Sequence, residues 1–215
     1  ILLVGSELHS MGLDYSDEGR AVTVIFGDGA GAAVLQATDK PGQGVLTTCL
    51  HADGTHAEEL AMINPGSHGG YHLGQDKFGY PDPSVMGGMF VTQKMVDEGM
   101  LYPNMTGQLV FKTAVVKFPE VINEALSKVG LTAADIDLLI PHQANLRISQ
   151  FVQRVLKLPD EKVQNNIQKY GNTTAASIPI ALSEAWEEGK VKEGDLVCLA
   201  AFGSGFTWGS ALVRW

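Results

Sequence analysis

LLIPHQANLRISQF, residues 138–151, holds the junction on which the fold turns. An apolar run closes at Pro141, and His142, Gln143 and Asn145 follow at once. Ile148, Phe151, Val152, Val155 and Leu156 then recur at the i, i+3, i+4, i+7, i+8 spacing of an amphipathic helix. A buried strand that feeds a helix in this way marks the carboxyl end of a sheet, where α/β proteins build their sites. A lone histidine there could simply satisfy nearby backbone groups. The company of Gln143 and Asn145 tips the reading of His142 towards function.

Outward from this junction, strand-like and helical stretches alternate. ILLVGSE at the start reads as a buried strand, and AVTVIFGDGAGAAVLQA (residues 21–37) reads as strand, glycine turn, strand. GVLTTCLHADG (44–54) is a further strand and turn. Residues 64–105 are rich in Gly, Pro, Met and His without periodicity and read as a long excursion. From Thr106 to about Lys128 the pattern is helical, with Pro119 expected to kink or divide it. Thr132 and Asp135 have the spacing of a capped turn. TTAASIPIALSEAWEEGKV (173–191) reads as a helix stopping near Gly189, and DLVCLAAFGSGFTWGSALVRW (195–215) as strand, glycine turn, strand. VIFGDGAGAAVL and LAAFGSGFTWGSALV echo each other, each expected as a glycine hairpin, which suggests duplicated halves. The alternation favours an α/β layered fold.

Composition narrows the function classes. Hydrophobic residues make up 45% of the 215 positions and charged residues 18%, enough apolar material for a substantial core. The net charge of −9 disfavours unspecific binding to nucleic acid or to an anionic membrane. No apolar run approaches the length of a membrane span. Cys49 and Cys198 both lie in strand-like segments, as buried thiols in a reducing, cytoplasmic setting would. The chain opens in mid-strand without methionine, and we expect it to be the second part of a longer polypeptide.

Other candidates divide into those kept and those set aside. Asn172, in YGNTTAASIP, is an amide on a glycine-led loop before a helix; ordinary capping is the competing explanation. Gly203 and Gly205 flank Ser204 in FGSGF and would let backbone N–H groups approach a ligand. Ser204 as a hydrolase nucleophile fails the G-x-S-x-G pattern, since Phe202 stands where a glycine is needed. FGDGAGAA is set aside as a dinucleotide loop because its third glycine falls one position early and a strand pattern follows. His51, His56, His68 and His72 fit no metal-ligand spacing, so no metal is expected. Arg147, Arg154 and Lys157 share one side of the 145–157 helix. A solvated helix face is the ordinary explanation; in an acidic chain the competing one is a dock for an acidic partner.

Together VIFGDGAGAAVL, PHQANLRI, YGNTTAASIP and FGSGFTWGSALVRW, in that order, resemble the β-ketoacyl-acyl carrier protein synthase III family of the thiolase fold. The resemblance implies a layered α-β-α-β-α architecture of two similar halves. Residues 1–40 would end the first half, and residues 41–215 would form the second. It implies decarboxylative condensation of an acyl-enzyme, formed from acyl-CoA, with malonyl-acyl carrier protein. His142 and Asn172 match two members of the family's Cys-His-Asn triad. Ser204 matches the backbone oxyanion position. Phe111, Ala144 and Asn145 match the pantetheine channel, and Arg147 a carrier-protein contact. A homodimer and no resident cofactor are further implications; the CoA thioester and the carrier's phosphopantetheine are substrates. The family's cysteine loop has no counterpart in residues 1–215, so the nucleophile is expected on a companion N-terminal segment. Met11 falls where many members carry an arginine near the CoA nucleotide. Two rivals remain: a related condensing enzyme of polyketide or long-chain acyl metabolism, and a non-catalytic half that supplies a dimer surface.

Overall fold

The computed structural model describes residues 1–62, 64, 91 and 93–215. In chain order these form β1 (Leu2–Glu7), α1 (Arg20–Thr23), β2 (Gly29–Val34), β3 (Gly44–Ala52) and β4 (Leu60–Ala61). Next come α2 (Gln93–Asp97), β5 (Asn104–Met105), α3 (Gly107–Lys128), β6 (Leu138–Pro141) and α4 (Leu146–Leu156). The rest are α5 (Ile167–Tyr170), α6 (Ser177–Glu187), β7 (Leu196–Gly203) and β8 (Thr207–Arg214). The expected excursion over 64–105, with His68 and His72, lies largely outside the described residues. Of its described parts, α2 is a short helix and β5 pairs with β4.

The main sheet has the order β3-β8-β7-β6, with β6 and β7 parallel and the other neighbours antiparallel. Strand periodicity sorts its side chains between two cores. Leu139, Leu196, Cys198, Ala200 and Phe202 point to the side covered by α3 and α4. Leu138, Ile140 and Val197 point to the side covered by α6, against Ala181 and Ala185. The smaller sheet pairs β1 with β2, antiparallel, and lies on the far side of α6. The described layers thus run β, α, β, α.

α3 is one continuous helix, so Pro119 does not divide it. A proline inside a helix costs about 3 kcal/mol. Phe118, Val121, Ile122 and Leu126 are all buried, each large apolar side chain contributing about 1.5–3 kcal/mol. Burial therefore outweighs the lost hydrogen bond. The capped turn before β6 forms as expected: Asp135 accepts from the Thr132 N–H at 2.8 Å and from its hydroxyl at 2.8 Å. α4 starts at Asn145, whose side chain accepts from the Arg147 N–H at 2.9 Å, and ends at Lys157 with φ +56°. Its apolar stripe is narrower than the spacing predicts. Ile148, Val152 and Leu156 are buried, whereas Val155 is exposed.

Two strand readings need correction. β1 is a strand but not a buried one: Leu2, Leu3 and Val4 are all more than half exposed. Its sheet has two strands, and α6 covers only one face. The first glycine segment is not a hairpin either. Residues 20–23 are helical, and β2 takes β1 as its partner rather than the residues just before it. Only the β7–β8 segment is the hairpin that the echo implied.

Candidate active site

β6 and β7 run side by side and end at the same edge, which brings His142 next to the β7 strand: its N–H donates to the Ala200 carbonyl at 2.7 Å. A cavity of about 440 Å³ opens there. His142, Asn172, Ser204, Gly203, Phe111, Ala144 and Asn145 all line it. Gly205 does not: it takes φ +133° in the hairpin turn, and its contribution is to the backbone rather than to the wall. Leu60, Met62, Met105 and Val110 make much of the remaining wall apolar.

The imidazole of His142 is held from behind. Its Nδ1 lies 2.6 Å from the Ser177 hydroxyl, and its Nε2 hydrogen-bonds no described residue. Burial, with no carboxylate partner, pushes its pKa down from 6.5 to about 4. The ring is therefore neutral at physiological pH. Linkage gives this a sign. Above pH 6.5 the histidine is neutral folded or unfolded and stability is unaffected. Between pH 6.5 and 4 only the unfolded chain binds the proton, so stability falls as pH falls, by up to about 3 kcal/mol. Urea midpoints of the full-length protein measured between pH 7.5 and 4.5 should drop more steeply for wild type than for His142→Gln.

Asn172 is 7% exposed and sits on a loop fastened at both backbone atoms. Its N–H donates to the Ile25 carbonyl at 2.8 Å, and its carbonyl accepts from the Gly27 N–H at 3.0 Å. Gly171 makes that approach possible. It takes φ +71°, and a Cβ there would lie 2.9 Å from the Ile25 oxygen. The Thr174 N–H donates to the Asn172 side chain at 2.9 Å. A backbone N–H can only donate, so the atom it meets is the carboxamide oxygen, and the NH2 is left for the cavity. Thr174 itself takes φ +41°, an uncommon conformation for threonine, and its hydroxyl donates to Glu7 on the cavity rim.

The serine of FGSGF is not poised as a nucleophile: its hydroxyl donates to the Leu60 carbonyl. Neither cysteine lines the cavity. Cys198 is fully buried, and burial pushes its thiol up to about 12. Cys49 is buried beside Lys128, whose ammonium lies 3.2 Å from the sulfur. His51 is engaged elsewhere, with Glu124 at 2.5 Å and Trp208 stacked on it; His56 packs near Phe206. Arg147, Arg154 and Lys157 are exposed, and none is ion-paired with a described residue. The Arg154 guanidinium lies 5.8 Å from the Phe151 ring. Met11 is exposed and lies off the cavity wall.

Gln143, the neighbour of His142 in sequence, is a brace. It is 3% exposed and all four of its polar valences are used. Its Nε2 donates to the carbonyls of Pro141 at 2.7 Å and Gln164 at 3.3 Å. Its Oε1 accepts from the N–H groups of Asn166 at 2.9 Å and Ile167 at 3.2 Å. The sequence pattern also gave no sign of Ser177 behind His142, since a serine at a helix start reads as capping.

Two family models match this chain. One, described as 3-oxoacyl-[acyl-carrier-protein (ACP)] synthase III, covers residues 1–54. The other, the C-terminal model of that enzyme, covers residues 126–215. A beta-ketoacyl-[acyl-carrier-protein] synthase III of Rhodospirillum centenum is 45% identical over 217 aligned residues, covering 100% of this chain and 58% of the relative. One of Sulfurovum sp. is 40% identical over 213 residues, 99% of this chain and 56% of the relative. The crystal structure of 3-oxoacyl-[acyl-carrier-protein] synthase III from Aquifex aeolicus superposes with a TM-score of 0.80 at 39% identity, over 100% of this chain and 57% of that one. The chain thus spans a little over half the length of the relatives it matches. Its fold is theirs, the thiolase-like α/β fold.

Proposed function

The chain belongs to the 3-oxoacyl-[acyl-carrier-protein] synthase III family, and from that premise we propose that the full-length protein catalyses a decarboxylative Claisen condensation that initiates fatty acid synthesis. A cysteine thiolate attacks the carbonyl of acyl-CoA, the acyl–CoA C–S bond breaks with release of CoA thiolate, and the acyl group is left as a cysteine thioester. Malonyl-acyl carrier protein then enters the cavity. Its carboxylate leaves as carbon dioxide, and the electron pair of the broken C–C bond moves onto the thioester as an enolate. The enolate carbon attacks the acyl-cysteine carbonyl, a new C–C bond forms, and the cysteine thiolate departs.

The observation that carries this reading is one cavity wall bearing two uncharged N–H donors, a neutral His142 and the free NH2 of Asn172. Charge develops on the thioester oxygen during decarboxylation, and preorganised donors stabilise it without reorganisation. The Ser204 backbone N–H would hold the oxygen of the acyl-cysteine thioester. Phe111, Ala144, Asn145 and Gly203 would line the path of the pantetheine arm, and Gly205 would only shape the turn. Neither Cys49 nor Cys198 suits the nucleophile, so we assign it to sequence outside residues 1–215. In this reading residues 1–40 close a first half and 41–215 form the second. The enzyme works as a cytoplasmic homodimer with no resident cofactor. Two unpaired buried thiols are in keeping with that compartment, and among the described residues no helix is long and apolar enough to cross a membrane.

Arg147, Arg154 and Lys157 would meet the acidic carrier protein. Two measurements on the full-length protein test the whole reading. Acetyl-CoA and malonyl-acyl carrier protein should yield 3-oxoacyl-acyl carrier protein. Arg147→Glu should raise KM for the malonyl carrier about tenfold while leaving malonyl-CoA decarboxylation unchanged, as expected of a charge at a docking rim. Equal use of malonyl-CoA, with no response to Arg147→Glu, would favour a condensing enzyme of polyketide or long-chain acyl metabolism. No product from either donor would leave a non-catalytic half.

A further inference from the structure

We propose that Ser177 is the positioning residue that holds His142 in one tautomer, with its proton on Nε2 facing the cavity. The partners of the Ser177 hydroxyl fix where that proton lies. Ser177 is 1% exposed, so its O–H donor must find its acceptor inside the protein. Its oxygen has two neighbours: the Gln143 N–H at 3.4 Å and His142 Nδ1 at 2.6 Å. The Gln143 N–H can only donate, so the serine oxygen accepts there. Were Nδ1 also to donate, the hydroxyl proton would be left in a dry pocket without an acceptor. A buried unsatisfied donor of that kind is costly. The consistent arrangement has the serine O–H donating to an unprotonated Nδ1, which puts the ring's single proton on Nε2.

Two further features act in the same direction. Ser177 is the first residue of α6, so the positive end of the helix dipole faces Nδ1 and opposes a second proton on the ring. Gln143, whose N–H engages the serine, is itself fixed by four hydrogen bonds. The hydroxyl, the backbone N–H and the imidazole therefore form a short relay with one permitted direction. The kinetic part of this inference rests on the decarboxylation proposed for His142; the tautomer itself does not.

The test uses full-length protein labelled with ¹⁵N-histidine, with the His142 signals assigned by their loss in His142→Gln. Wild type should show Nε2 protonated and Nδ1 bare. Ser177→Ala, a smaller side chain that should not disturb packing, should give a mixture of the two tautomers. It should also lower kcat for malonyl-carrier decarboxylation about tenfold with KM unchanged, and Ser177→Thr, which keeps the hydroxyl, should restore the wild-type spectrum. A wild-type ring protonated on Nδ1 would overturn the proposal. So would an unmixed Nε2–H tautomer in Ser177→Ala. The expected spectra together with decarboxylation indifferent to His142→Gln would uphold the tautomer assignment and defeat the proposed function instead.

Discussion

Asn172→Ala in the full-length protein is expected to lower kcat for malonyl-carrier decarboxylation about 10²- to 10³-fold, the usual loss when one oxyanion donor is removed. Transfer of the acyl group from CoA to the cysteine should continue, because that step develops its charge elsewhere. Separate assays follow the two half-reactions: radiolabelled acyl-enzyme for the first, carbon dioxide release for the second. Asn172→Asp sharpens the test. It keeps the shape and still accepts from the Thr174 N–H, but it replaces the cavity-facing NH2 with an anionic oxygen. Its decarboxylation should be at least as impaired as that of the alanine variant. Carbon dioxide release at the wild-type rate by either variant would remove the mechanism proposed above.

The second large effect lies on stability. Gln143→Leu is close in volume but strands the carbonyls of Pro141 and Gln164 and the N–H groups of Asn166 and Ile167. Each buried group left unpaired costs about 1–3 kcal/mol, and water entering the gap recovers part of the sum. A loss of about 3–5 kcal/mol is expected, read as a drop in the urea midpoint with an unchanged slope. A drop below about 1 kcal/mol would mean that the 164–167 segment stays in place without the brace.

How far the sequence could be read depended on whether the deciding contacts were local. The 146–156 helix, the Thr132–Asp135 cap and the β7–β8 hairpin depend on neighbours a few residues apart, and each element formed, the helix with a narrower buried stripe than its spacing predicts. His142 and Asn172 are singled out by motifs, and both line one cavity although they lie on loops thirty positions apart in sequence. The failures involve long-range partners. AVTVIF is rich in β-branched residues and reads as a strand. Instead its start coils into α1, and Ile25 and Gly27 give their backbone groups to the Asn172 loop. Gln143 stands beside His142 in sequence and counts there only as company that tips the histidine towards function. Three of its four partners, in residues 164–167, lie far along the chain and make it a structural residue. β1 looked buried because its residues are apolar, yet burial depends on what lies across the sheet.

The fastening of the Asn172 loop also bears on how the two proposed donors are aligned. His142 follows β6 of the large sheet, whereas Asn172 is tied through Ile25 and Gly27 to the chain leading into β2 of the small one. α6 is the wall between them, with Ala181 and Ala185 against the large sheet and Pro179 and Ile180 against Gly31 and Gly29 of the small one. The spacing between imidazole and carboxamide is therefore a gauge of how two frames slide over one spacer. Geometry tolerances in catalysis are about an ångström. Methyl groups added or trimmed at Pro179 or Ile180, remote from any reacting atom, would act on turnover by retuning that gap.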